Sequence, residues 1–215
     1  MTSQMGKERI AELLAPFLEY AGLSDEQLGA IEIHLDLLLK WNAKINLTAV
    51  RDPEQIVTRH FGESLFAARQ LFHHSSSGGG AIDVGSGAGF PGLPIKLWAP
   101  GMRLTLVESN QRKATFLREV VRALRLSEVT ILSDRAENLS AKAELVTFRA
   151  VEHFEKVLAM AERMIVPGGR LAVLIGGAQV QVAESVLAGV QWEKPKLIPH
   201  SGNRSLLIGH LRNLG

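Results

Sequence analysis

The chain has 215 residues, enough for one full α/β domain with a small extension but not for two independent cores. Apolar residues at 46% and charged residues at 21% exclude a largely disordered chain, and the absence of cysteine excludes disulfides, thiolate zinc sites and a cysteine nucleophile. Net charge is only +2 but unevenly placed: residues 1–39 carry two basic and seven acidic side chains and residues 103–125 carry six basic and two acidic, so part of the chain is expected to face a polyanion.

The first residues lack the pattern of a secretory signal, and the most apolar stretch, Leu171 to Ala178, is too short to span a bilayer. A cytoplasmic protein with no membrane partner is expected. Ile10, Leu13, Leu14, Phe17 and Leu18 recur at helical spacing and predict a helix over 7–21 that Pro16 should kink or interrupt. Ser24 and Gln27 form a capping box ahead of Leu28, Ile31, Leu35 and Leu38, a second helix reaching Trp41. Asp52 as N-cap, Pro53 at the first helical position and Gln55 three residues past the cap open a third, carrying Ile56, Val57, Phe61 and Leu65. Residues 1–72 thus form an N-terminal helical layer. Within it, Trp41 reads as a packing residue and His60 as a structural histidine. Asn42, Asn46 and Thr48 read equally as loop scaffold or substrate contact. Residues 73–80 form a loop by composition and no metal site.

Ala81-Ile82-Asp83-Val84 is an apolar run holding one acid, and it is followed by Gly85-Ser86-Gly87-Ala88-Gly89-Phe90-Pro91-Gly92. Four glycines in eight residues describe a buried strand turning into a helix with bare backbone amides at the turn, a place for a ligand. The dinucleotide pattern would put its third small residue at Phe90, so a nicotinamide cofactor fits poorly. With Gly89 as third glycine, Asp83 to Gly89 resembles the first motif of class I S-adenosylmethionine-dependent methyltransferases. A second strand, Leu104 to Val107, ends in Glu108, an acid suited to a ribose diol. The chain then alternates: helix 110–124, strands 129–132 and 145–149, helix 152–165, strand 170–175, helix 179–187. Lys196 to Leu211 reads as a hairpin closing the sheet with an antiparallel strand. The expected fold is α/β, a doubly wound, mostly parallel sheet over 81–215, packed with the helical layer as one globular unit.

Taken with its flanks, the chain resembles the bacterial small-subunit rRNA guanine-N7 methyltransferase family known as RsmG or GidB, from about Leu37 to Leu174. Trp41-Asn42-Ala43-Lys44-Ile45-Asn46-Leu47-Thr48 is similar to the family's W-N-x-x-x-N-L-T. Arg59-His60 with Glu63-Ser64 resembles its next helix, and Asp83 to Pro94 its glycine loop including Phe90-Pro91-Gly92. Glu108-Ser109, Arg112-Lys113, Phe116-Leu117, Arg135-Ala136-Glu137 and Phe148-Arg149-Ala150-Val151 follow at the expected spacing. The resemblance implies S-adenosylmethionine held by Gly85, Phe90, Ala136, Glu137 and Arg149. Two departures stand out. Glu63 replaces a usual Asp, and Ile175 replaces a usual Lys, so a cation is expected to be missing near the substrate cleft.

The candidate cofactor residues are therefore Asp83, Gly85, Ser86, Gly87, Gly89, Phe90, Glu108, Ser109, Ala136, Glu137 and Arg149, with Arg149 also orienting the reactants. Asn46, Thr48, Arg112 and Lys113 are the candidate contacts to small-subunit rRNA or the ribosomal subunit. Arg118, Arg122 and Arg125 read as a solvated helix face. An Asp/Asn-Pro-Pro-Tyr segment, common in exocyclic-amine methyltransferases, is replaced by Phe148-Arg149-Ala150-Val151, and a cysteine adduct to a pyrimidine is impossible. Guanine N7 carries a free in-plane lone pair and needs no general base. A monomer without a metal is expected. Two rivals stay open at this point: a small-molecule methyltransferase using the helical layer as a lid, and an RNA-binding module with a vestigial pocket.

Overall fold

Apolar spacing and capping account for the first helices in the computed structural model, which describes residues 5–72 and 79–212. Most of the 73–80 loop lies outside the described residues. Helix α1 (Lys7–Leu18) buries Ile10, Leu14, Phe17 and Leu18, and Pro16 falls within its last turn. The helix runs through the proline and stops two residues after it, short of the predicted residue 21; Pro16 cannot donate to the carbonyl of residue 12, which weakens the last turn. Helix α2 (Asp25–Asn42) is opened by the predicted capping box, with Ser24 Oγ accepting from Gln27 N at 3.2 Å and Gln27 Oε1 from Ser24 N at 2.9 Å.

The third predicted helix is a compound one. Helix α3 (Pro53–Ile56), capped by Asp52, widens into a π-helical segment, Val57–Gly62, and continues as α4 (Glu63–Leu71). Such widenings insert extra residues into a turn and change which side chains face inward. Here His60, Phe61, Glu63 and Ser64 are all buried, more polar groups than a regular amphipathic helix would turn inward. Gly62 is required at the join, since a Cβ there would stand 2.7 Å from the Phe17 ring.

Strands β1 (Gly80–Val84), β2 (Arg103–Val107), β3 (Val129–Leu132), β4 (Ala143–Arg149) and β5 (Ile165–Gly176) pair in parallel. Strands β6 (Gln191–Trp192) and β7 (Lys196–Leu197) both pair antiparallel with β8 (Arg204–His210), which itself pairs antiparallel with β5. The sheet order is β3-β2-β1-β4-β5-β8-β6, with β7 beside β8. The closing hairpin is as predicted; the two-residue β6 is too short to leave a pattern in the sequence. Helices α5 (Gly92–Trp98), α6 (Gln111–Ala123), α7 (Phe154–Arg163) and α8 (Gly177–Val186) complete the fold. Strand order reverses between β1 and β4, and ligands of open α/β sheets bind at the carboxyl ends of the strands at such a point.

Two cores flank the sheet. One joins Ile10, Leu14, Phe61 and Leu65 of the helical layer to Phe116, Leu145, Ala172 and Leu174, and the other packs Val146, Phe148, Val173 and Ile175 against Leu158 and Ala183. Leu174 and Ile175 thus point to opposite faces, as alternation along a strand requires. Ile175 is buried in the core on the face away from the helical layer, the same core that holds Val84 and Val107 beside the glycine turn.

Candidate functional site

The turn after β1 is fixed from below. Gly85 N and Ser86 N both donate to Val107 O, at 2.9 and 3.0 Å, tying the turn to the end of β2. Gly85, Gly87 and Gly89 all have positive φ. Gly89 is the close-packing glycine, because a Cβ there would run into Leu93 and would press on Leu117 at 3.4 Å. A Cβ at Gly92 would lie 2.7 Å from Asp83 Oδ2, which instead accepts from Gly92 N at 3.2 Å. Asp83 is fully buried, and burial pushes its carboxyl up to about 7. Asp83 and Gly89, predicted as ligand contacts, line neither cavity beside the turn. They hold the turn instead. Ser86 is buried as well, its hydroxyl donating to Asp83 O at 2.9 Å, yet it borders the cleft.

Glu108 faces the turn from the end of β2. Its Oε2 accepts from Gly87 N at 2.9 Å and its Oε1 from Asn110 N at 2.7 Å, and each oxygen keeps capacity for another donor. Around it are two adjoining cavities. One, of about 630 Å³, is lined by Gly85, Glu108, Ser109, Ala136 and Glu137 among others. The other, of about 290 Å³, is lined by Thr48, His60, Gly87, Phe90 and Arg149 among others. Gly85, Glu108, Lys113 and Ala150 belong to both, so the predicted cofactor residues other than Asp83 and Gly89 converge on one cleft. Glu137 stands at its rim, paired with Lys156 at 2.7 Å.

Arg149 enters from the end of β4, its side chain only 11% exposed. Burial pulls its guanidinium below the usual arginine range, and the carboxylate of Glu63, 3.5 Å away, opposes that shift. Glu63 is itself buried, and its Oε1 accepts from Arg204 Nε at 2.8 Å and lies 2.6 Å from Arg204 Nη2. The residue that departs from the family's usual Asp is therefore the carboxylate between two arginines.

Histidines build the wall opposite. His60 Nε2 lies 2.8 Å from Thr48 Oγ1, and Thr48 Oγ1 also accepts from Val50 N at 3.1 Å, which leaves the hydroxyl hydrogen for the ring nitrogen. Burial first, then the charges of Arg149 and Arg59, depress its pKa to about 3, so it is neutral. His34 was not singled out from the sequence. Its Nε2 donates to Ala88 O in the glycine turn at 2.9 Å, its ring stacks on Phe90 with centroids 5.1 Å apart, and burial holds its pKa near 4. The signal for it is its place on the stripe Ile31, His34, Leu35, Leu38, where a histidine among apolar residues must be neutral and hydrogen-bonded.

Asn42 is scaffold: its side chain binds Leu47 N, Thr48 N and Thr48 O, pinning the loop that carries Thr48. Trp41 packs on Phe116 and donates to Glu119, as a core residue. Asn46, Arg112 and Lys113 gather at a further cavity of about 430 Å³ between this loop and the start of α6. Arg118, Arg122 and Arg125 are exposed, as read from the sequence.

Residues 27–200 match the family model GidB, rRNA small subunit methyltransferase G. The chain is 39% identical over 199 residues to ribosomal RNA small subunit methyltransferase G of Chloroflexus aggregans, covering 86% of this chain and 82% of that one. It is 34% identical over 206 residues to the protein of the same name from Xanthomonas campestris pv. campestris, covering 94% and 95%. Among solved structures, a SAM dependent methyltransferase from Aquifex aeolicus superposes with a TM-score of 0.58 at 16% identity, over 74% of this chain and 94% of that one, a likeness of fold.

Proposed function

The chain belongs to the GidB family, rRNA small subunit methyltransferase G, and on that premise we propose that it methylates guanine N7 in small-subunit (16S) ribosomal RNA in the cytoplasm. It is an S-adenosylmethionine-dependent enzyme with the class I fold. Among the described residues no helix is long and apolar enough to cross a membrane. We take residues 1–72 as a helical extension and 81–215 as the Rossmann-like domain, working as one unit and as a monomer. A core shared by the two supports the first part of that reading.

The residues present fit the cofactor. The turn brings the backbone of Gly85, Ser86 and Gly87 to the cleft, with their amides held by Val107 O and Glu108; Glu108 offers carboxylate oxygens already oriented by two backbone donors, and cavities of about 630 and 290 Å³ are of the size of small-molecule sites. When bound, S-adenosylmethionine supplies an electrophilic methyl group on a sulfonium. Gly85, Ser86, Gly87, Phe90, Glu108, Ser109, Ala136, Glu137 and Arg149 would hold it, with Asp83 and Gly89 shaping the turn from beneath. Arg149 fixes the acceptor base relative to the methyl group; its own position is set by Glu63. An acceptor with a free in-plane lone pair, such as guanine N7, would take that methyl group without losing a proton, so no side chain of the cleft would have to act as a base. His60, neutral and engaged with Thr48, is not placed to serve as a base.

The observation that carries this reading is the convergence of Arg149, Glu108 and the glycine turn on one cleft walled by the helical layer. Its test is to treat small-subunit rRNA and assembled subunits with the purified protein and labelled cofactor, then map methylated guanines. Transfer to a single guanine N7 is expected; transfer only to small metabolites, or cofactor binding without turnover, would overturn it.

A further inference from the structure

The cavity of about 430 Å³ between the 42–46 loop and the start of α6 is lined by Asn42, Ala43, Lys44, Ile45, Asn46, Arg51, Asn110, Arg112 and Lys113. Four of these are cations and none is an acid. Among the described residues none of the four is in an ion pair, as is also true of exposed cations such as Arg118 and Arg122; what sets these four apart is that they share one cavity. Helix α6 begins in this cavity, capped by Asn110, and its first turn holds Arg112 and Lys113 and no acid. That reverses the usual preference, since a helix N-terminus carries partial positive charge and favours acidic side chains. The cations and the helix end therefore add to one positive potential, offset only in part by Glu108, whose Oε1 accepts from Asn110 N at 2.7 Å.

The cluster is also held in shape. Arg51 Nη1 donates to Asn42 O at 2.8 Å and Nη2 to Asn46 Oδ1 at 3.2 Å, while Asn42 is bound to Leu47 and Thr48. Lys113 lines this cavity and both cavities at the glycine turn, so the basic cavity opens onto the cleft where the acceptor base is expected. No aromatic side chain lines it, so it offers charge and hydrogen-bond donors without a platform for stacking a base.

We propose that Lys44, Arg51, Arg112 and Lys113 form a phosphate-binding site for the RNA backbone next to the target guanine, holding the strand while the base enters the cleft. The inference rests on the rRNA reading above, to which it adds Lys44 and Arg51 and a division of labour: backbone here, base at Arg149. Such contacts position a nucleic acid without reading its sequence and release counterions on binding.

The test is equilibrium binding of a small-subunit rRNA fragment that the wild type methylates, from about 50 to 200 mM salt, for wild type, Lys44→Gln, Arg51→Gln, Arg51→Lys and Arg112→Gln. Each Gln variant should flatten the plot of log affinity against log salt by about 0.7 to 0.9. KM for RNA should rise with kcat nearly unchanged, and cofactor affinity by calorimetry should stay at the wild-type value. Arg51→Lys, which keeps the charge, should keep the slope. Wild-type slopes in all the Gln variants would overturn the site while leaving the methyltransferase reading intact. So would a loss of cofactor affinity in step with RNA affinity in Lys44→Gln and Arg112→Gln, substitutions that leave the backbone cap between Asn110 and Arg112 N in place. A wild type that neither binds nor methylates the rRNA would instead overturn the reading on which the proposal rests.

Discussion

Glu63 and Arg204, 141 residues apart in the chain, are joined by a hydrogen bond of 2.8 Å and an N–O contact of 2.6 Å, and the same carboxylate stands 3.5 Å from Arg149. Helix α4 and strand β8 thus meet behind the arginine at the cleft. Removing one member of a buried ion cluster leaves the others uncompensated, a loss of about 3 kcal/mol where burial is nearly complete. Glu63→Gln should therefore lower the urea midpoint and slow methylation together. Glu63→Asp, which keeps the charge, should recover most of both; a Glu63→Gln protein as stable and active as wild type would show that the cluster does not position Arg149.

Glu108 is the second point at which one side chain serves both fold and ligand. Because its oxygens hold Gly87 N and Asn110 N, Glu108→Ala should weaken S-adenosylmethionine binding by at least the ~1–3 kcal/mol of a charged hydrogen bond. Part of that loss comes from the loosened turn. Glu108→Gln keeps one acceptor oxygen and should lie between. Unchanged affinity of the Ala variant in calorimetry would remove Glu108 from the cofactor site.

What the sequence made legible follows from how local each cause is. Ser24 with Gln27, Asp52 with Pro53, and the glycines after Val84 act within a few residues, and the structure forms the cap, the helix start and the turn as read. The π-helical widening at Val57–Gly62 ends at Gly62, which has room only for a hydrogen against the Phe17 ring of another helix, and no local pattern announces it. Asp83 reads as a ligand contact because it opens the Asp83–Gly89 motif; its partner Gly92 lies across the turn, visible only once the chain has folded back. His34 and Arg204 were missed for the same reason, since their partners Ala88 and Glu63 are 54 and 141 residues away.

Ile175 offers a test of face assignment. A lysine there would start in the core beside α7 and α8, but at the last residue but one of β5, where its long stem can carry the ammonium past the strand end. Ile175→Lys should therefore destabilise the protein by about 1 kcal/mol, the ordinary cost of a single substitution, and should not raise RNA affinity. Wild-type stability together with tighter RNA binding would place the residue on the cleft side after all.

Acid should act on the two buried histidines. Both folded-state pKa values, about 4 for His34 and about 3 for His60, lie below the ordinary 6.5, so their stabilising contribution is present above pH 6.5 and is lost as pH falls towards them. Between pH 7 and 5 each should cost about 2 kcal/mol. Asp83 acts the other way: raised from 3.8 to about 7, it gives stability that is present below 3.8 and lost as pH rises through 7. The wild type therefore shows only the difference, and a variant has to isolate the term. His34→Gln can still donate to Ala88 O but cannot titrate, so against wild type it should gain about 2 kcal/mol on going from pH 7 to 5 in urea unfolding. An equal stability gap at the two pH values would mean that His34 is protonated or solvated in the folded protein.

The rate of methyl transfer should not depend on the ionisation of His60. A histidine with a pKa near 3 does not change charge in the range where an unperturbed one titrates, and an N7 acceptor has no proton to lose. Single-turnover rates from about pH 6 to 8 at saturating cofactor should therefore lack a general-base limb, and a shallow step near pH 7 would report Asp83 beneath the turn. His60→Gln, which can keep a bond to Thr48, should leave the shape of that profile and its height little changed. Arg149→Ala should lower it at every pH, because the guanidinium sets the placement of base and methyl group and about 1 Å of misplacement can cost ~10²-fold. Arg149→Lys keeps the charge but loses the planar fork, so an intermediate rate is expected. A wild-type rate rising tenfold per pH unit and lost in His60→Gln would establish a general base, and the acceptor would then be an amine that must shed a proton instead of N7.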